Sequence, residues 1–208
     1  ASFMAKPYPE YSGNGLHTHF SLIDETGRNV FDNSGPEGSA MMHQAIAGCL
    51  DAMHDSTLIF APHANSYDRL VPEAHAPTAI CGGYENRTVA IRIPSGNPAA
   101  RRIEHRVAGG DVNPYLMIAA ILGAALNGIE DGRMPPPPVT GNAYAMPSLP
   151  QVPTTWAEAI ADFEASAIMA RIFPHELIRN LVMTKRQELH YLAELSAEEQ
   201  VELYLDTV

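Results

Sequence analysis

The chain has 208 residues, 46% of them apolar and 18% charged, with a formal net charge of −11. This composition suits one folded domain with room for an appended helical segment, and it excludes a disordered chain. It also argues against a general nucleic-acid binder, which carries a basic footprint.

The first residues lack the basic flank and apolar core of a secretory signal. A strand is read over Leu16 to Ile23, closed by a turn at Asp24-Glu25-Thr26-Gly27. Ser39 to His54 has helical spacing, with Met42, Ile46, Leu50 and Met53 on one side. The stretch holding Pro62, Asn65, Ser66 and Pro72 reads as loop. Thr88 to Ile93 and Arg102 to Val107 read as further strands. Asn113-Pro114 opens a helix, with Asn as N-cap and Pro where its missing N–H costs nothing. That helix runs to about Ile129 and stops near Gly132. Its apolar run, Leu116 to Leu126, is shorter than the ~20 residues of a membrane span. A Pro- and Gly-rich crossing segment, Pro135 to Pro153, follows. Helices are read over Thr155 to Ser166 and His175 to Leu192, and Ser196-Ala197-Glu198-Glu199 is a capping box for a last one. Strands without regular crossover helices predict an α+β fold with an antiparallel sheet.

Two cysteines, Cys49 and Cys81, stand far apart and out of metal-ligand spacing. Buried thiols in a reducing, cytoplasmic setting are expected, although two cysteines do not exclude a disulfide.

Against the acidic balance, six arginines fall between Arg69 and Arg106: these two, Arg87, Arg92, Arg101 and Arg102. They point to an anionic small molecule, with surface ion pairing as the plainer alternative. Alternation along a strand puts His17, His19 and Ser21 on one face, where two histidines suit a metal or a phosphate. Histidines that are merely packed are the alternative. In Arg102-Ile103-Glu104-His105-Arg106 the same alternation separates Arg102, Glu104 and Arg106 from Ile103 and His105. A carboxylate between two arginines suits a site where anions meet a divalent cation; a surface ion-pair ladder is the alternative. Arg92 interrupts the apolar strand TVAIRI, as an arginine bound to a carboxylate or phosphate would. The chain has no P-loop and no nucleophile elbow. A metal hydrolase built on His17 and His19 lacks a convincing set of further ligands.

The segments GNGLHTHFSL, NSYDRLVP, ENRTVAIRIP, RRIEHR and NPYLMIAAILGA, in this order, resemble successive motifs of the glutamine synthetase family. The resemblance covers essentially the whole chain. It implies a curved antiparallel sheet forming an active-site funnel, with flanking helices and a helical C-terminal segment. It further implies an ATP-dependent ligase that uses Mg2+ or Mn2+, and a homo-oligomer in the full-length protein.

Residue by residue, the resemblance implies that His17 and Glu104 hold a metal. His19, Ser21, Arg92 and Arg102 would face the nucleotide, and Arg87 the phosphoryl group in transfer, a hold that Arg92 shares. Gly13, Arg69 and Arg106 would meet glutamate. His75 stands before Ala76-Pro77, where ammonia-using members carry a glutamate, and is expected to act as a base toward a larger amine. Glu73, two residues earlier, is expected to compensate in part. Ser12 and Ala99 replace an Asn and a Lys. These departures resemble the branch that glutamylates polyamines or other alkylamines. Ordinary glutamine synthesis and a non-catalytic scaffold or sensor are the alternatives.

Residues 1–208 are expected to be the C-terminal portion of the catalytic domain. The family's β-rich N-terminal domain and the first part of the catalytic domain would lie outside it. Such a portion is expected to be inactive alone and to self-associate.

Overall fold

Helices form where the sequence carries its own start and stop signals. The computed structural model describes residues 1–72 and 74–208, the side chain of Asp206 excepted. Helix α1 (Ala40–Met53) begins at Ser39, whose side chain accepts from the Met42 N–H, and buries Met42, Ile46, Leu50 and Met53 as the spacing predicts. Two four-residue helices follow, α2 (Thr57–Phe60) and α3 (Ser66–Arg69). Helix α4 (Pro114–Asp131) is capped by the Asn113 side chain and closed by Gly132 at φ +64°, a left-handed position that favours glycine. The last elements are α5 (Trp156–Ala165), α6 (Ala167–Ile172), α7 (His175–Leu192) and α8 (Ala197–Thr207), the last with its full capping box.

Four strands, β1 (Thr18–Phe20), β2 (Gly82–Tyr84), β3 (Ile91–Ile93) and β4 (Ile103–His105), form one sheet in the order β1-β4-β3-β2. The class is α+β, as expected. Within the sheet, β1 and β3 run antiparallel to β4, whereas β2 runs parallel to β3, so the sheet is mixed. All of the strands read from the sequence are shorter than expected, only Thr18–Phe20, Ile91–Ile93 and Ile103–His105 lying in the ladder.

Strand β2 was not expected. Its Gly82 and Gly83 are poor strand residues, and the reason for them is tertiary. A Cβ on Gly83 would strike the Val139 carbonyl, while Gly82 lies over Ile46 and Leu50. Likewise α2 and α3 lie in the stretch read as loop. They are single buried turns set by their surroundings rather than by propensity.

The sheet's reverse face carries Ile91, Ile93, Ile103 and His105, all buried, with α1 packed on β3 and α4 packed on α1. These two helices cross at Gly48 and Gly128, where a Cβ on either would overlap the other helix's backbone. Both cysteines are free and buried, and burial pushes the Cys49 thiol up to about 12. Among the described residues, no helix is long and apolar enough to cross a membrane.

Candidate active site

The front face of the sheet is built around one carboxylate. The register sets Glu104 on the central strand β4, opposite His19 on β1 and Arg92 on β3. Its side chain is 3% exposed. One oxygen accepts from Arg92 at 2.7 Å and the other from Arg106 at 2.5 Å. The latter oxygen also lies 3.2 Å from His17 Nδ1 and 3.8 Å from His19 Nε2. Burial opposes ionisation of Glu104, but the two guanidinium groups outweigh it and hold the carboxyl below its ordinary range. Burial, and then the charge of Arg106, lower the pKa of His17 against the opposing pull of Glu104.

The arginines are themselves held. Arg92 also donates to Glu85 at 3.1 Å, and Arg106 to the Arg87 carbonyl at 3.0 Å. Arg102 donates to His19 Nδ1 at 3.2 Å. Among the described residues, the side-chain Nε of both Arg92 and Arg106 is buried without a partner. These are donors that an anionic ligand would satisfy.

Beside this lattice lies a cavity of about 220 Å³, lined by Gly13, Asn14, His17, Arg69, His75 and Arg106 among others. Arg69 is 2% exposed and donates to the Val107 carbonyl. Gly13 has no space for a side chain, since a Cβ there would fall 2.8 Å from Arg69 Cγ. His75 sits on an exposed loop at φ +66°, a left-handed position costly for a residue with a side chain. Glu73, its possible substitute, lies outside the described residues.

The structure therefore gathers Gly13, His17, Arg69, His75 and Arg106 around one cavity, and Glu104, His19, Arg92 and Arg102 beside it. It does not bring in two expected side chains. Ser21 is exposed past the end of β1, and Arg87 is exposed and reaches the lattice through its carbonyl. Arg101 is a structural member of the arginine group, buried and donating to the Gly35 and Pro36 carbonyls. Glu85 was not foreseen. It holds Arg92 and accepts from the Ser95 N–H from a positive φ of 51°, which no sequence signal announces.

The donor set fits a divalent ion. An imidazole nitrogen and a carboxylate oxygen 3.2 Å apart have the separation of two donors on one ion with bonds of ~2.1 Å. The surrounding guanidinium groups suit phosphate and carboxylate oxygens.

Comparison with known proteins agrees with this geometry. The family model described as "Glutamine synthetase, catalytic domain" matches residues 1–204. The chain is 36% identical to the gamma-glutamylputrescine synthetase PuuA of Escherichia coli, over 99% of this chain and 43% of that protein. It is 42% identical to the gamma-glutamylethanolamide synthetase GlnA4 of Streptomyces coelicolor, over 90% of this chain and 40% of that protein. It is 38% identical to the glutamine synthetase of Aquifex aeolicus, over 99% of this chain and 46% of that protein. Among solved structures, GmaS without ligand superposes with a TM-score of 0.82 at 33% identity, covering 96% of this chain and 47% of that one. The chain thus spans less than half the length of these relatives.

Proposed function

This chain belongs to the glutamine synthetase family, and we propose that it supplies part of the active site of an ATP-dependent ligase joining glutamate to an amine. The observation that carries the reading is the lattice around Glu104. A buried, ionised carboxylate is shared by Arg92 and Arg106, with His17 and His19 within 3.8 Å of it. A hydrolase or a binding scaffold has no chemical need for this density of fixed positive charge beside a cavity lined by Arg69 and Arg106.

In the proposed reaction the γ-carboxylate oxygen of glutamate attacks the terminal phosphorus of ATP. The bond from that phosphorus to the bridging oxygen breaks, giving γ-glutamyl phosphate and ADP. The amine nitrogen then attacks the acyl carbon, the acyl C–O bond to phosphate breaks, and the amine proton passes to a base. Most of the work is positioning and charge stabilisation. Arg69 and Arg106 hold the glutamate carboxylates, with Gly13 keeping the backbone close. Arg92 steadies the phosphoryl oxygens, and His19 and Arg102 face the nucleotide; Arg87 and Ser21, exposed in this chain, would have to turn inward to join them. His17 and Glu104 would hold a Mg2+ or Mn2+ ion, which when bound supplies positive charge to phosphate oxygens.

His75 lines the same cavity as Arg69 and Arg106, which supports its reading as the base toward an alkylamine. The similarity to two enzymes named for γ-glutamyl amides of putrescine and ethanolamine supports the same branch. The reading includes cytoplasmic action as a homo-oligomer, in a longer polypeptide that completes the metal site. The chain alone is then inactive.

The test is phosphate release from ATP by the full-length polypeptide, with glutamate and a panel of amines including ammonia and putrescine. Turnover with alkylamines and not with ammonia is expected. Turnover with ammonia alone would make the protein a glutamine synthetase and remove the role of His75. No turnover with any amine would overturn the ligase reading.

A further inference from the structure

Arg69 is the most deeply buried guanidinium of the site, and the lattice around Glu104 does not hold it. Its NH2 donates to the Val107 carbonyl, and its Nε is buried without a partner among the described residues. The carboxylate whose charge acts on it is Asp111, 7% exposed. Asp111 is itself half-partnered. Its Oδ2 accepts from Ser66 Oγ at 2.5 Å, while its Oδ1 is buried without a partner among the described residues.

The two orphaned atoms face the same point. A Cβ built on Gly109 would collide with Asp111 Oδ1 and lie 3.3 Å from Arg69 Nε. Glycine at this position is therefore what lets the carboxylate and the guanidinium approach across the backbone.

Ser66 fixes which way Asp111 points. Its Oγ accepts from the His63 N–H at 3.0 Å, so the hydroxyl hydrogen is directed to Asp111 Oδ2. Oδ1 is then left facing Arg69 Nε across Gly109, with no hydrogen bond between them. Ser66 and Arg69 are the first and last residues of α3. The four-residue helix thus presents both the group that orients the carboxylate and the group that the carboxylate balances.

We propose that Asp111, oriented by Ser66 across Gly109, is a positioning residue that fixes the Arg69 guanidinium toward the substrate cavity. Asp111 does not line that cavity, so it acts through Arg69 and not on substrate. A buried guanidinium without a counter-charge is costly and turns toward solvent. With Asp111 in place, one NH2 is tethered by the Val107 carbonyl and the Nε edge faces the Asp111 carboxylate across Gly109, and the remaining edge is left for a carboxylate ligand. The functional consequence rests on the ligase reading given above; the tether does not.

Two measurements separate the inference from that reading. In 15N-labelled protein, the Arg69 Nε–H signal is expected to be protected from solvent exchange. The substitution Asp111→Asn keeps the shape and an acceptor for Ser66 but removes the charge, and exchange should then rise about tenfold or more. Ser66→Ala, the gentler variant, should raise it by a smaller factor and serves where Asp111→Asn does not fold. Unchanged Arg69 exchange in a folded variant overturns the proposal whether or not the protein is a ligase. In the kinetic assay, Asp111→Asn should raise the KM for glutamate about tenfold and leave the KM for ATP within about twofold. A fall in kcat with both KM values unchanged would count against positioning. A wild-type enzyme without turnover would sink the ligase reading and leave the exchange measurement to decide the role of Asp111.

Discussion

Glu104 and His105 are neighbours on one strand, 3% and 2% exposed, and they solve burial in opposite ways. Glu104 faces front and is kept ionised by two guanidinium groups that outweigh its desolvation. His105 faces back, its ring 4.5 Å from that of Phe60, and it is kept neutral. Burial, and then the charge of His17, push its pKa down to about 3. One strand thus separates a charged chemical face from an apolar structural one by a single residue step. Burial decides the state of His105, which no partner opposes, whereas two guanidinium groups override it at Glu104.

The largest break in this comparison comes from removing the carboxylate. Glu104→Ala leaves Arg92 and Arg106 without their shared partner and His17 without its neighbour on the front face. Stripping one partner from a buried ion pair costs about 3–5 kcal/mol. We expect denaturant unfolding to show a loss of that order and the full-length polypeptide to lose detectable turnover. A variant as stable as wild type would mean that the lattice is decorative.

The reverse face breaks differently, through volume. Gly48→Ala places a methyl group inside contact of the Ala124 carbonyl at the α1–α4 crossing. Overpacking of this kind costs about 1–3 kcal/mol, occasionally more where backbone must move. The effect should appear in melting temperature with KM values unchanged. A shift in substrate KM equal to that of a front-face variant would show that the two faces are not separable.

Much of this contrast was legible in the sequence, because alternation is a local rule. The pattern His-x-His and the pattern Arg-x-Glu-x-Arg each place their charged residues on one face, and the register then brings the two faces together. Helix ends were legible for the same reason: Ser39, Asn113, Thr155 and Ser196 cap the backbone N–H groups a few positions on. What sequence reading could not reach depends on distant partners. Strand β2 passes close to a distant loop because Gly83 admits the Val139 carbonyl, which a side chain would strike. Arg101 resembled its neighbours in type, yet it holds two loop carbonyls. Asp111 lay outside every motif read from the sequence, and its tie to Ser66 spans 45 positions of chain.

The smallest and sharpest test concerns His105 alone. Its neutral form is preferred in the folded state, with a pKa lowered from 6.5 to about 3. Above the unfolded value, both states are neutral and the group contributes no pH dependence. As pH falls below 6.5, the unfolded chain takes up a proton that the folded chain refuses, so stability declines until the folded pKa is reached. A single such group gives a slope of about 1.4 kcal/mol per pH unit inside that window. Glu104, with its lowered pKa, contributes in the same direction only at more acid pH, as the unfolded carboxylate begins to protonate near 4.5. His63, lowered to about 4 by burial and then by Lys185, titrates in the same window as His105 and would obscure a wild-type curve read alone. The difference between wild type and His105→Phe cancels it. Phenylalanine keeps a ring against Phe60 and gives up a Nδ1 that has no partner. Urea unfolding of both proteins at about pH 7 and about pH 5 should therefore show the variant gaining on wild type by about 1 kcal/mol or more at the lower pH. Equal slopes would mean that His105 accepts a proton in place, and that the reverse face is less apolar than its neighbours make it.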